Sequence, residues 1–149
     1  MEWMLMPLRR YAEFSGRSRR KEYWMFALLN VIVMFVILAL IFAGGFSISA
    51  MQGGSPPEAP GVLFWLGAGL MAIYFLAVIV PSIAVIVRRL HDRDMSGWWY
   101  LGFILLSMIP VVGFLASIAM LVIFCLPGTP GPNRFGADPK DPNSASVFA

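Results

Sequence analysis

The sequence predicts an all-α, polytopic helical membrane protein, and three observations predict it. Residues 23–57, 59–87 and 95–133 carry no charge at all, and each run exceeds the roughly 20 apolar residues that cross a hydrocarbon core. Hydrophobic residues make up 59% of the chain and charged ones only 13%, where an average soluble domain has about 25% charged. The basic residues are also clustered. Arg9, Arg10, Arg17, Arg19, Arg20 and Lys21 precede the first run, and Arg88, Arg89 and Arg93 divide the second from the third. A water-soluble globule is excluded, and the 149 residues leave room for a single membrane domain over residues 1–149.

Residues 1–22 mix basic and apolar positions. Trp3, Leu5, Leu8, Tyr11 and Phe14 leave a partial helical stripe, which predicts a short helix lying in the membrane interface. Ser15-Gly16 interrupts it. Ser18 is placed to cap the next helix, and Glu22 lies in its first turn, where a carboxylate complements the dipole. The first transmembrane body is residues 23–43, opened by Tyr23-Trp24, which suit the head-group level. A basic region followed by an apolar one also describes a signal peptide, with Ser47-Ile48-Ser49 as a small-residue cleavage site. Signal-peptide cores run only about 7 to 15 residues, so this segment is expected to be an uncleaved anchor. Residues 44–61, dense in Gly and Pro and without Lys or Arg, read as an external loop.

The second transmembrane helix is expected over residues 62–87, kinked at Pro81, with Ala68 and Ala72 offering a close-approach face. Residues 88–97 read as a cytoplasmic loop, after which Ser96 can cap a helix beginning at Trp98-Trp99. The third run, residues 98–126, is too long for one straight span, since a helix of that length reaches about 43 Å, and Pro110 and Gly113 break it. It folds either as one kinked span or as a hairpin turning near 109–113, giving three to four crossings. The hairpin keeps all eleven Lys and Arg on the cytoplasmic side, whereas a single span exports Arg134 and Lys140, so the hairpin is favoured. Its arms are short, which predicts tilting, thinning or re-entrant packing. Residues 127–149 hold too many Pro and Gly for regular structure and form an extended tail.

Several segments together resemble a known family. They are Phe14-Ser15-Gly16-Arg17-Ser18-Arg19-Arg20-Lys21-Glu22-Tyr23-Trp24, Arg88-Arg89-Leu90-His91-Asp92 with Ser96-Gly97-Trp98-Trp99, Ile109-Pro110-Val111-Val112-Gly113, and Gly128-Thr129-Pro130-Gly131-Pro132-Asn133-Arg134-Phe135-Gly136. In this order they resemble the YhaH/YhaI-like bacterial inner-membrane proteins, the domain of unknown function 805 (DUF805). The resemblance implies a helical protein of the bacterial inner membrane and brings no biochemical activity with it.

The candidate interaction site is Arg88, Arg89, His91, Asp92 and Arg93, with Arg134 from the tail. Adjacent arginines can hold a phosphate bidentately and His titrates near neutrality, which suits a lipid head-group site or a proton site. The competing reading is a topological turn in which Asp92 and Asp94 neutralise the arginines. If the hairpin forms, Thr129, Asn133 and Arg134 can fold back over His91. Nothing matches a metal-ligand spacing, a nucleophile elbow, a phosphate loop or a dinucleotide fingerprint, so no cofactor and no catalytic residue are expected. The basic residues flank apolar runs and are better matched to anionic phospholipid than to nucleic acid. The favoured function is a non-catalytic protein binding lipid, a membrane-protein partner or another copy of itself. The alternatives are a subunit of a transport system and, behind it, an enzyme using the His91-Asp92 loop. Against transport stands the absence of charge within the apolar runs, where ion and substrate pathways usually carry it. Asn30, Ser82, Ser107 and Ser117 are expected to make helix–helix hydrogen bonds.

Overall fold

In the computed structural model, which describes residues 2–45 and 61–141, five helices and no strand occur among the described residues. They are α1 (Glu2–Arg9), α2 (Arg20–Gly45), α3 (Val62–His91), α4 (Trp98–Ser107) and α5 (Pro110–Cys125). Most of the expected external loop, with Ser47-Ile48-Ser49, and the last eight residues of the tail lie outside the described residues. The chain divides into two compact units, residues 27–79 and residues 1–26 with 80–149.

Helices α2 and α3 are long enough and apolar enough to cross a membrane. Their 26 and 30 residues amount to about 39 and 45 Å at 1.5 Å per residue. Phe35 is 74% exposed and Ile73 68% exposed, which a water-soluble core helix would not leave open. Lipid is the solvent for these faces.

Within residues 27–79 the two helix bodies touch through small and polar positions. The Tyr74 hydroxyl donates to Asn30 Oδ1 at 2.9 Å, the interhelical hydrogen bond expected of Asn30. Gly67 supplies the close approach, because a Cβ there would stand 2.6 Å from Ile41 Cγ1 and 3.2 Å from its backbone nitrogen. Ala72, predicted to share that role with Ala68, is exposed. The absence of a side chain, which Ala does not match, decides which position packs.

In the other unit α1 is followed by a loop whose sharpest point is Gly16, at φ +79°. Ser18 does not cap α2. Its amide donates to the Arg88 carbonyl at 3.1 Å, and its buried hydroxyl makes no hydrogen bond among the described residues. The demand of another helix end overrides the local capping preference. Helix α3 likewise runs past Val87 to His91, so Arg88 and Arg89 belong to its last turn and not to a loop. It stops in a Schellman motif: the Met95 amide donates to the Leu90 carbonyl and the Asp94 amide to that of His91, both at 3.0 Å. Asp94 takes the left-handed conformation, φ 57°, which short polar side chains tolerate. At the start of α4 the cap residue is Gly97, with no side-chain cap bond; Ser96 Oγ only accepts a long 3.4 Å bond from the Trp98 amide.

The third apolar run folds as a hairpin. Only Met108 and Ile109 separate α4 from α5, Pro110 opens α5, and the two helices pack together. Pro is favoured there because the first helical amide has no partner to lose. Gly113 lies inside α5 and not in the turn, and a Cβ on it would meet the Ser107 carbonyl oxygen at 2.7 Å. Both outer ends return to the end of α3. Gly97 lies against Val87, and the carbonyls of Phe124 and Leu126 accept from Arg89.

Tyr74→Phe removes the hydrogen bond to Asn30 while keeping the ring. It is expected to lower stability by about 1 kcal/mol, the scale of interhelical hydrogen bonds in membranes, read as a small downward shift in thermal unfolding in detergent.

Candidate functional site

The last turn of α3 turns its basic residues inward. Arg88 and Arg89 are 0% exposed and Asp92 3%. Asp92 lies between two guanidinium groups: Arg17 donates from Nε to Oδ1 at 3.0 Å, and Arg89 Nη1 donates to Oδ2. Arg88 pairs with Glu22, in the first turn of α2, at 3.2 Å. Three buried cations face two carboxylates, and carbonyl oxygens take up further donors of Arg17 and Arg89, while the Arg88 side-chain nitrogens and Arg89 Nε make no hydrogen bond among the described residues. Arg17 donates to the carbonyls of Thr129 and Gly131, each at 2.6 Å. Arg89 reaches those of Phe124, at 3.2 Å, and Leu126.

These arginines also close the end of α5. A helix C-terminus leaves four carbonyls without amide partners and carries partial negative charge, so a cation is the matching group. Phe124 and Leu126 receive Arg89, and Cys125 receives Arg20 Nη1 at 2.9 Å.

The tail is clasped over the end of α3. The Thr129 amide and hydroxyl both donate to the Asp92 carbonyl, at 2.8 and 3.2 Å. Asn133 Nδ2 donates to the His91 carbonyl at 2.8 Å and to Thr129 Oγ1 at 3.1 Å. Gly128 is required, since a Cβ there would run into the Asp92 carboxylate. The Phe135 ring stacks on His91 with centroids 3.9 Å apart and planes 3° from parallel, and His91 Nδ1 lies 3.2 Å from the Gly16 carbonyl. Residues 133–136 form a tight turn closed by paired backbone hydrogen bonds. The Asp138 carboxyl is held below the usual carboxylate range, first by the Lys140 amide and further by the Gly131 amide.

Of the residues singled out from sequence, Arg89 and Asp92 share one cluster, with Arg88 beside it on Glu22. His91 lies under the tail, and Arg93 Nη1 donates to the Pro127 carbonyl at 2.5 Å. Arg134 stands apart at the surface: it pairs with Asp94 at 3.2 Å, with its side chain 60% exposed. The expected fold-back of Thr129, Asn133 and Arg134 over the His91 segment is present. Arg17, Glu22, Gly128 and Phe135 are members that spacing alone did not select as site residues. Their only signal was membership in the segments that carried the family resemblance. Among the described residues no group of three His, Cys, Asp or Glu could hold a metal ion. The chemistry these residues show is charge pairing and carbonyl capping.

Two long lipid-facing helices, a short apolar hairpin and a clasped arginine cluster define a helical membrane protein whose polar residues gather at one end of its helices. Residues 11–137 match the family model described as "Protein of unknown function (DUF805)", and the chain belongs to that family. It is 44% identical to inner membrane protein YhaH of Escherichia coli K12 over 140 residues, covering 94% of this chain and 98% of that one. To inner membrane protein YhaI of the same strain it is 40% identical, with 94% and 97% covered. The uncharacterized protein YiiR of that strain is 25% identical, with 86% of each chain covered. No solved structure matches. The protein is thus an inner-membrane protein of a family without an assigned activity.

Asp92→Ala leaves Arg17 and Arg89 buried without their carboxylate, a change that costs about 3–5 kcal/mol in buried pairs. Arg134→Ala breaks an exposed pair worth at most about 1 kcal/mol. Thermal unfolding in detergent is expected to separate the two variants clearly, with protease cleavage of the tail appearing at lower temperature only for Asp92→Ala.

Proposed function

We propose that this chain is a non-catalytic, multi-pass protein of the bacterial inner membrane, with its N-terminus and tail in the cytoplasm and a basic rim that holds anionic phospholipid. The observation that carries the reading is the division of the cations. Arg17, Arg88 and Arg89 are buried on carboxylates and carbonyls, so their charge is spent on the fold. Arg9, Arg20 and Lys21 are exposed. Leu5, Tyr11 and Phe14, each 43% exposed, lie on the same N-terminal segment, and Lys21 Nζ stands 5.6 Å from the Trp3 ring centroid. Apolar side chains beside cations suit the head-group layer, where each basic residue contributes about 1 kcal/mol of attraction to anionic lipid.

Orientation follows from the same residues. Arg17, Arg19, Arg20 and Lys21 lie within the 15–20 residues of the first span that set topology. The hydrogen bonds from Arg17 to Asp92, Thr129 and Gly131 favour one side for the N-terminal segment, the α3–α4 connection and the tail. In this reading the head-group contacts fall to Arg9, Lys21 and Arg134, while Arg88, Arg89 and Asp92 shape the platform beneath them.

Reporter fusions at Met1 and at Ala149 are expected to behave alike, fluorescent as cytoplasmic fusions and inactive as exported-phosphatase fusions; an active phosphatase at either end would sink the topology. In reconstituted full-length protein, Arg9→Gln with Lys21→Gln should lower retention of phosphatidylglycerol over phosphatidylethanolamine, with a loss that shrinks in high salt. Unchanged retention in the folded double variant would remove the lipid role.

A further inference from the structure

The hairpin of α4 and α5 does not have the dimensions of two transmembrane spans. Its arms hold 10 and 16 residues, about 15 and 24 Å at 1.5 Å per residue, against a hydrocarbon core of about 30 Å. Both arms start from the same level, because Gly97 abuts Val87 and the α5 terminus is capped by Arg89. Trp98 and Trp99, exposed at the entrance of α4, have the amphipathic rings suited to a head-group boundary. The turn at the far end has no such residue. Met108, Ile109, Val111, Val112, Phe114 and Leu115 are all exposed apolar side chains, and the nearest hydroxyl, that of Ser107, is turned onto the Ile104 carbonyl at 2.6 Å.

A hairpin that emerged on the opposite face would place this apolar turn in water or among head groups. The backbone points the same way. Non-helical chain inside a bilayer is tolerated only when its polar groups are satisfied, and here it is reduced to two residues. The Met108 and Ile109 amides donate to the carbonyls of Leu105 and Leu106, at 3.2 and 3.1 Å, and the Gly113 amide donates to that of Ile109 at 2.6 Å. Pro110 has no amide hydrogen to satisfy. The two remaining amides of the first turn of α5, Val111 and Val112, are few enough for lipid ester carbonyls drawn inward by local thinning to meet them.

We infer that α4 and α5 form a re-entrant hairpin, which enters the bilayer from the face of the arginine cluster and ends among lipid acyl chains without crossing. The inference rests on the cytoplasmic placement of that cluster in the proposed function only for the side of entry. The depth of the turn is independent of it.

The test uses the full-length chain in native membranes, with Cys125→Ala removing the one native thiol and single cysteines introduced as Val111→Cys or Lys140→Cys. A membrane-impermeant maleimide is applied to spheroplasts and, separately, to inverted vesicles. Val111→Cys is expected to stay at background from both sides and to react only once detergent dissolves the membrane, whereas Lys140→Cys reacts in inverted vesicles alone. A nitroxide at Val111 should be relaxed by oxygen in preference to an aqueous nickel chelate. Labelling of Val111→Cys from the face opposite Lys140→Cys means a full crossing, and labelling from the same face means a surface hairpin; either overturns the inference. So does preferential relaxation by the nickel chelate. Labelling of Lys140→Cys in spheroplasts overturns the orientation in the proposed function and leaves the depth to be judged on Val111 alone.

Discussion

One carboxylate organises the polar end of this molecule. Asp92 follows α3 directly, where the helix macrodipole disfavours negative charge, and it is buried, where an isolated carboxylate is costlier still. Two guanidinium groups reverse both penalties. Arg89 comes from the same helix end and Arg17 from the loop before α2, 75 residues away in sequence. Other donors of the same two arginines hold the carbonyls of α5 and of the tail. Removing the carboxylate would leave two buried cations competing for carbonyls, so the join between the N-terminal loop, α3, the hairpin and the tail depends on it.

The second constraint is the accounting of helix ends next to a membrane. Each helix presents carbonyls that its own backbone leaves unpaired, and water to satisfy them grows scarce toward the hydrocarbon. The chain solves this with groups imported from distant segments. The end of α3 receives the Ser18 amide, the Asn133 side chain and the Thr129 amide and hydroxyl; that of α5 receives Arg20 and Arg89. The Pro- and Gly-rich segment 127–141 suits the task, since without helix or strand of its own it has donors to lend. Gly128 allows it to pass directly over the Asp92 carboxylate.

In the proposed reading, function follows from what the cluster leaves over. Arginines that cap helices and pair with buried acids are not available to a ligand, so adjacency in sequence overstated Arg88 and Arg89 as a phosphate fork. The exposed cations lie instead on the segment leading into α2 and at Arg134, beside apolar side chains that match a lipid interface. The apolar bodies of the long helices, whose apolar faces look outward, carry the polar pair Asn30 with Tyr74, and it is used for helix packing.

The amino-acid sequence by itself determined the membrane class, the two long helices, the Pro- and Gly-rich tail and the break near Pro110. Each of these is a local property: charge-free length, breaker residues, or the missing proline amide. The hairpin was legible through charge bookkeeping, and the fold-back of the tail through the chemistry of Thr129, Asn133 and Arg134. Tertiary structure alone decided which of eleven basic residues would be buried, that Glu22 would serve Arg88 as well as its own helix, that Ser18 would lend its amide and not its hydroxyl, and that Gly67 would make a close helix contact while Ala72 stays exposed. Burial and pairing depend on which segments meet in space, and a guanidinium is read the same way in one dimension whether it ends up in a head-group layer or on a buried carboxylate.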